Sequence, residues 1–412
     1  MAEVKPLLAL HYNLAAVPSL ADVTAPPYDV VDEPTRAALL ARSPLNVVEI
    51  DLPRAPSGRN RYEHAAETLE AWTLDGVLVA DRQPAIWALT QDYAAPDGSR
   101  LTRHGFLARV RVTDYGPGLV RPHERTQPGP KEDRLRLTRA TRHNLSAIFA
   151  LHPGSVGGAL EPHIAGEPWG EATDDEGTVH RVWRIGDPEV HDTVAAGLAG
   201  GELLIADGHH RYETARIYAD EVSGDRPHRY TLMCLVSLED PGLTIFGTHR
   251  LVSGFDSERL NRGIREHFEL EEIPSGDVDP AGVEGTGVFG FLDSERALRL
   301  RLRDTAPIDA MLDGRSEAYR RLDAVILEEL VLKGALEMSG DDIAAKRGLG
   351  YAKSIAEARE AVRDGSYDAA FLLRPTPVPQ VREVAAAGET MPPKSTFFFP
   401  KLLTGIVFNP LY

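Results

Sequence analysis

The sequence predicts an α+β fold, with mixed sheets and helices on their faces, and three observations carry that reading. Short apolar, β-branched runs alternate along the chain with segments of helical periodicity. Gly, Pro, Asn and Asp punctuate the joins between them. No repeat of fixed period indicates a solenoid or propeller.

The elements follow in order. Residues 32–42 read as a helix with Pro34 in its first turn. Residues 45–52 read as a strand and 61–74 as an amphipathic helix ending before Gly76. Strands at 85–93 and 101–112 flank Pro96-Asp97-Gly98-Ser99, a hairpin signal, and 146–151 is a further strand. Residues 153–178 are rich in Gly, Pro and acid with little periodicity, which marks a boundary or a long surface loop. A strand at 179–185, a helix at 188–198 and a strand at 230–238 come next. A weaker Gly-containing acidic stretch, 274–287, precedes two short strands, a helix at 321–333, a strand at 369–373, a helix at 378–387 and a last apolar strand. These breaks divide the chain into an N-terminal α/β region, 1–155, a central region, 156–305, and a C-terminal α/β region, 306–412.

Composition narrows the function. At 412 residues the chain exceeds one ordinary hydrophobic core, and its 42% hydrophobic and 26% charged content is that of a globular protein. Its 62 acidic and 45 basic side chains leave a net charge of −17. That field opposes nucleic acid and anionic membranes, so any anionic ligand must be held by a local basic site. The single cysteine, Cys234, excludes an internal disulfide and a cysteine-based zinc site, and its place between Met233 and Leu235 reads as inert core. Neither a basic-plus-apolar leader nor an 18-residue apolar run is present, so a cytoplasmic protein without a membrane span is expected.

The most informative stretch is Glu202 to Ala215, where a short apolar strand runs into Asp207-Gly208-His209-His210-Arg211 and then into a helix-forming segment. Unpaired N–H groups and the positive end of the dipole make a helix start an anion site. Gly208 and Arg211 suit a phosphate, and Asp207 suits Mg2+ or a proton. Three companions accompany it. Pro26-Pro27-Tyr28-Asp29-Val30 sets a hydroxyl beside a carboxylate, as a turn or as a substrate contact at Tyr28 and Asp29. His123-Glu124-Arg125-Thr126 precedes a basic run in which Lys131, Arg134 and Thr138 share one helical face and Arg136, Arg139 and His143 another. That run reads equally as a solvated surface partnered by Glu132 and Asp133. Met391 to Lys401 places Lys394, Ser395 and Thr396 ahead of three phenylalanines, with Lys401 after them, and lacks the Gly-rich loop of a P-loop.

In this order, the four motifs resemble the prokaryotic family known as domain of unknown function 1015, across nearly the whole chain. The Asp207 to Arg211 segment is also similar to the nucleotide-handling motif of the ParB and sulfiredoxin superfamily, in particular its free-serine kinases. That likeness implies a ParB/sulfiredoxin-like core in which Asp207, Gly208, His209, His210 and Arg211 cradle nucleotide phosphates and metal. The resulting expectation is an enzyme: a Mg2+-dependent phosphotransferase taking ATP or ADP to a small hydroxyl compound such as free L-serine. Glu124, Asp207, His209 and His210 are its candidate catalytic groups, with Asp207 the metal ligand. Gly208, Arg211, His123, Arg125, Thr126, Lys394, Ser395 and Lys401 are candidate nucleotide contacts. Two alternatives stand beside it: a metal-dependent hydrolase using His123, Glu124, Asp207, His209 and His210, and a non-catalytic nucleotide-binding module.

Overall fold

A computed structural model describes residues 2–95, 98–124 and 128–412. Chain contacts define two compact units: Met1–Pro122 with Thr126–Leu243 and Pro400–Tyr412, and His123–Arg125 with Thr244–Phe399. This division differs from breaks at 155 and 305. The strand Val179–Ile185 pairs residue by residue with Ile86–Ala94, from Val179 opposite Asp92 to Ile185 opposite Ile86, so position 155 falls inside one sheet.

That sheet, the centre of the first unit, has nine strands. Eight lie in the order Val120–Arg121, Leu203–Asp207, Ile148–His152, Tyr230–Ser237, Arg100–Arg111, Ile86–Ala94, Val179–Ile185 and Gly170–Thr173, and Val4–Lys5 also pairs with Arg100–Arg111. Its inner strands are apolar on both faces because both are covered. One face packs Ile86, Ala88, Phe106, Ile148, Ala150 and Leu235 against helix residues such as Leu160, Val194 and Tyr212. Cys234 sits fully buried opposite Leu107, and burial pushes its thiol up to about 12, which keeps it protonated and inert as expected.

The second unit is built on a six-stranded sheet: Phe268–Glu272, Ala297–Leu302, Val288–Asp293, Ala369–Leu372, His249–Val252 and Leu349–Ala352 in spatial order. Leu260, Ile264, Ile326 and Leu330 fill one face of it, and Ala358 and Val362 the other. The α+β class with helices on the sheet faces therefore holds in both units. The nine-stranded sheet is mixed, with parallel pairs at Leu203–Asp207 on Val120–Arg121 and at Tyr230–Ser237 on Ile148–His152, whereas the six-stranded sheet is antiparallel. No described helix is long and apolar enough to cross a membrane.

Several local expectations hold and three do not. Helix Glu33–Arg42 is capped by Asp32 Oδ1, which accepts from Thr35 N at 2.9 Å, and helix Arg61–Leu74 starts at an Asn60 cap. Residues 45–52 are not a strand. Asn46 Oδ1 accepts from Val48 N at 3.0 Å while its amide donates to Asp22 O and Thr24 O, and this local bonding starts the helix Val48–Asp51. Residues 153–178 are not a structureless loop either. They hold the helix Gly157–Ile164 and the strand Gly170–Thr173, which hairpins onto Val179–Ile185 because Asp174 Oδ1 accepts from Glu176 N and Thr178 N. The helix expected at 321–333 is α-helical over Asp323–Leu327 and widens to a π-helix over Glu328–Ala335.

Candidate functional site

In the first unit the strand Leu203–Asp207 passes through a single residue into the helix His209–Glu221. That residue, Gly208, has φ 99 and ψ 29, a left-handed conformation that other residues adopt at a cost. Gly208 has no side chain to cap the helix start, and the first N–H groups of the helix lie at the junction. The helix is fixed from below by Tyr212, fully buried, whose hydroxyl donates to Thr113 O at 3.0 Å and accepts from Thr113 N at 3.1 Å.

Gly208 serves a second purpose. A Cβ there would stand 2.8 Å from Arg211 Nε and 3.0 Å from its Cζ, so glycine lets the guanidinium fold back over the junction. Arg211 Nη1 donates to Ser146 Oγ at 2.9 Å and to Ala147 O, and Nη2 approaches Asp207 Oδ2 at 3.3 Å. Its Nε is buried and has no hydrogen-bond partner among the described residues. An unpaired buried donor is costly, and an oxyanion arriving at the junction is a group that could satisfy it.

Lys401 also belongs here, with Nζ 3.6 Å from Asp207 Oδ2. Two buried residues that sequence reasoning missed hold its backbone. Gln91 Nε2 donates to Lys401 O at 3.0 Å, and Arg103 Nη2 donates to Pro400 O at 2.5 Å. Arg103 lies over the Phe149 ring at 4.4 Å, and burial lowers its pKa to about 10. The sequence does not single it out, because the strand Arg100–Arg111 carries four arginines and only burial distinguishes this one.

Beside the junction lies a cavity of about 40 Å3, lined by Tyr28, Asp51, Arg134, Ser146 and Arg211 among others. It holds about one water, far less than a nucleotide. Tyr28 opens a short 3-10 helix, stacks on the Arg134 guanidinium at 4.4 Å, and is pushed up to about 12 by burial, with Asp29 and Asp207 adding to the shift. Arg134 is buried and pairs with Asp51 Oδ1 at 3.0 Å and with Asp133. Burial raises the Asp51 carboxyl, while Arg134 and Arg211 oppose the rise. Sequence reasoning missed Asp51 because its segment read as a strand.

The remainder of the basic run is solvated, as its plainer reading anticipated. Arg136 pairs with Glu132 and Arg139 with Glu221 on the surface. His143 lies beyond the helix, buried in a short strand, and burial depresses its pKa. His209 is buried and His210 half-buried at the start of the helix.

The other motifs meet in the second unit. Glu124 bridges to Met391, Met391 N donates to His123 O at 2.7 Å, and Lys394 N donates to Glu124 Oε1 at 3.3 Å. His123 Nε2 lies 2.9 Å from Thr396 Oγ1, Ser395 Oγ donates to Pro392 O at 2.7 Å, and Thr376 Oγ1 donates to Ser395 O at 2.9 Å. Buried Arg250 donates to Lys394 O at 3.0 Å and to Thr248 O. Lys394 itself is exposed, with φ 60. Arg125 and Thr126 lie outside the described residues. Among the described residues no group of three or more His, Cys, Asp or Glu is placed to hold a metal.

The fold and junction define a mixed α/β protein whose strand Leu203–Asp207 passes through left-handed Gly208 into the helix His209–Glu221. Residues 4–325 match the family described as a protein of unknown function (DUF1015), and the chain belongs to that family. Among solved structures it is similar to a free serine kinase variant in complex with ADP, at 14% identity over 71% of this chain and 88% of that chain, with a TM-score of 0.40. A conserved hypothetical protein from Pyrococcus furiosus matches at 14% identity over 70% and 92% of the two chains, TM-score 0.36. SbnI from Staphylococcus aureus, truncated at its C-terminus, matches at 10% identity over 72% and 85%, TM-score 0.37. No curated protein matches.

Proposed function

We propose that the chain is a Mg2+-dependent phosphotransferase that uses ATP or ADP to phosphorylate a small hydroxyl compound, with free L-serine the first acceptor to test. The observation that carries the proposal is the buried Arg211 Nε, without a hydrogen-bond partner among the described residues, folded over left-handed Gly208 at the start of the helix. The 40 Å3 cavity is too small for a nucleotide, so the phosphates would rest at the junction above it. Arg211, Lys401 and the N–H groups of His209 and His210 supply the positive charge that phosphoryl transfer needs. Asp207 would hold Mg2+, whose remaining positions waters and phosphate oxygens fill, and the ion would neutralise charge on the transferred group.

Tyr28 and Asp29 are proposed as acceptor contacts. Glu124, the general base expected from the sequence, belongs to the other unit and accepts from Lys394 N, so it receives no role here, and Asp51, a buried carboxyl raised by desolvation, is the candidate base. Ser395 receives no role in transfer, because its hydroxyl already donates to Pro392 O. The hydrolase reading gains no supporting observation from the donor geometry.

Calorimetry with ATP, ADP and AMP, with and without Mg2+, tests binding, and a coupled turnover assay over serine and small alcohols tests transfer. Asp207→Asn and Arg211→Ala are each expected to lower turnover by about 100-fold or more, the scale of a lost charge-stabilising group. Wild-type binding and turnover in both variants would remove the junction from the mechanism. Asp51→Asn tests the base: the variant should lose the acidic limb of the pH–rate profile, and an unchanged profile would exclude Asp51.

A further inference from the structure

We infer that the first unit carries a second small-molecule site, for a compound with an apolar body, a hydrogen-bond donor at one end and a protonated amine at the other. The site is a cavity of about 340 Å3, within the range of ligand pockets, beside the helix Gly157–Ile164. Ala88, Phe106, Val156, Leu160 and Leu235 form its walls. These same residues belong to the core that covers one sheet face, so the cavity is a gap left in that cover.

His152 supplies the polar floor. In the strand Ile148–His152, alternate residues share a face, and Ile148 and Ala150 are core on that face. His152 continues the series, is 2% exposed, and its Nδ1 has no hydrogen-bond partner among the described residues. Burial holds its pKa down at about 4 against a smaller raising contact with the Gly154 backbone, so the ring is neutral near pH 7 and its unprotonated nitrogen can accept a hydrogen bond. A buried acceptor without a donor is costly, and a ligand hydroxyl or N–H would satisfy it.

Charge at the mouth sets the other end. Glu161 and Glu239 are exposed there with no ion pair among the described residues. Asp240 is already engaged, receiving His104 N and Nδ1 at 3.2 Å. His104 also lines the cavity, with its pKa raised by its hydrogen bond to Asp240, and the carboxylates of Glu161, Glu239 and Asp240 outnumber it, so an ammonium is favoured at this rim over a carboxylate. The site is also separate from the junction. Asp207 stands opposite Phe149, three residues from His152, or about 10 Å along the strand. The inference therefore does not depend on the phosphotransferase reading.

Tyramine, phenethylamine and 4-hydroxyphenylacetate probe the site on the full chain by calorimetry and by the His152 ring signals in NMR. Tyramine is expected to bind saturably and to shift the His152 signals, phenethylamine to bind more weakly, and the acid not to bind. Leu160→Trp fills the cavity and should abolish binding. Glu161→Gln with Glu239→Gln should weaken tyramine about tenfold, the scale of one or two exposed charge contacts. His152→Phe should erase the advantage of tyramine over phenethylamine. The inference is overturned if no amine binds at millimolar concentration, if the acid binds as well as tyramine, or if tyramine ignores both Leu160→Trp and His152→Phe.

Discussion

The Asp207–Arg211 junction of the first unit and the Glu124–Lys394 cluster of the second are both built from polar residues beside a positive φ, yet they differ in saturation. At the junction glycine takes the left-handed conformation, and a guanidinium Nε is left buried without a partner. In the cluster a lysine takes it, at φ 60, and the neighbouring groups satisfy one another: His123 with Thr396, Ser395 with Pro392 O, and Arg250 with Lys394 O. Open valence marks a place for a ligand, whereas closed valence marks a clasp that holds a loop. Similar residue types thus carry opposite expectations, and the hydrogen-bond inventory separates them.

That contrast yields predictions of decreasing size. Arg250→Leu removes the donor beneath Lys394 and leaves two carbonyls short in a buried position, so chemical denaturation of the second unit should show a loss of about 2–4 kcal/mol. A loss below about 0.5 kcal/mol would mean that the clasp is ornamental.

Acidification should act on both units, and more on the first. His152 and His249 are each held at about 4 by burial, and burial also lowers His143 and His180 in the first unit. With the folded pKa below the unfolded value of 6.5, the unfolded chain binds the extra proton between pH 6.5 and about 4. Stability therefore rises with pH across that window and is lost as pH falls through it, by up to about 3 kcal/mol for His152 or His249. Hydrogen exchange at pH 7 and pH 5 should show greater loss of protection in the nine-stranded sheet than in the six-stranded one, and equal losses would break the comparison.

Gly208→Ala forces a left-handed alanine against Arg211 and should cost about 1–2 kcal/mol, read as a fall in Tm, together with weaker nucleotide binding. Lys394→Gly should do the reverse on a smaller scale. It relieves a strained φ and should stabilise by up to about 1 kcal/mol, with nucleotide binding unchanged if the cluster is a clasp. Weaker nucleotide binding in this variant would return Lys394 to the phosphate site.

Much of this was legible in the sequence because it depends on neighbours along the chain. The helix Arg61–Leu74 and the strand Val179–Ile185 were read to the residue from periodicity and punctuation, and the strand-to-helix passage at Asp207–Arg211 from a glycine between an apolar run and a helix former. Misreadings arose where a side chain bonded locally in a way no period reports. Asn46 turned 45–52 into a helix, and Asp174 turned a supposed linker into a hairpin. Which basic residues matter was equally hidden: Arg134 is buried against Asp51, while Arg136, two positions on, is a surface ion pair.

By itself, then, the sequence determined the mixed fold, the inert cysteine and the passage from strand to helix through Gly208, since hydrophobic period, backbone freedom and composition are local properties. Only the tertiary structure decided that Lys401 stands beside Asp207, that Arg103 and Gln91 hold it there, and that Glu124 meets Lys394. Those meetings join residues separated by scores to hundreds of positions. Pairing across sheets and burial choose the partners, and the order of residues along the chain does not encode the distances.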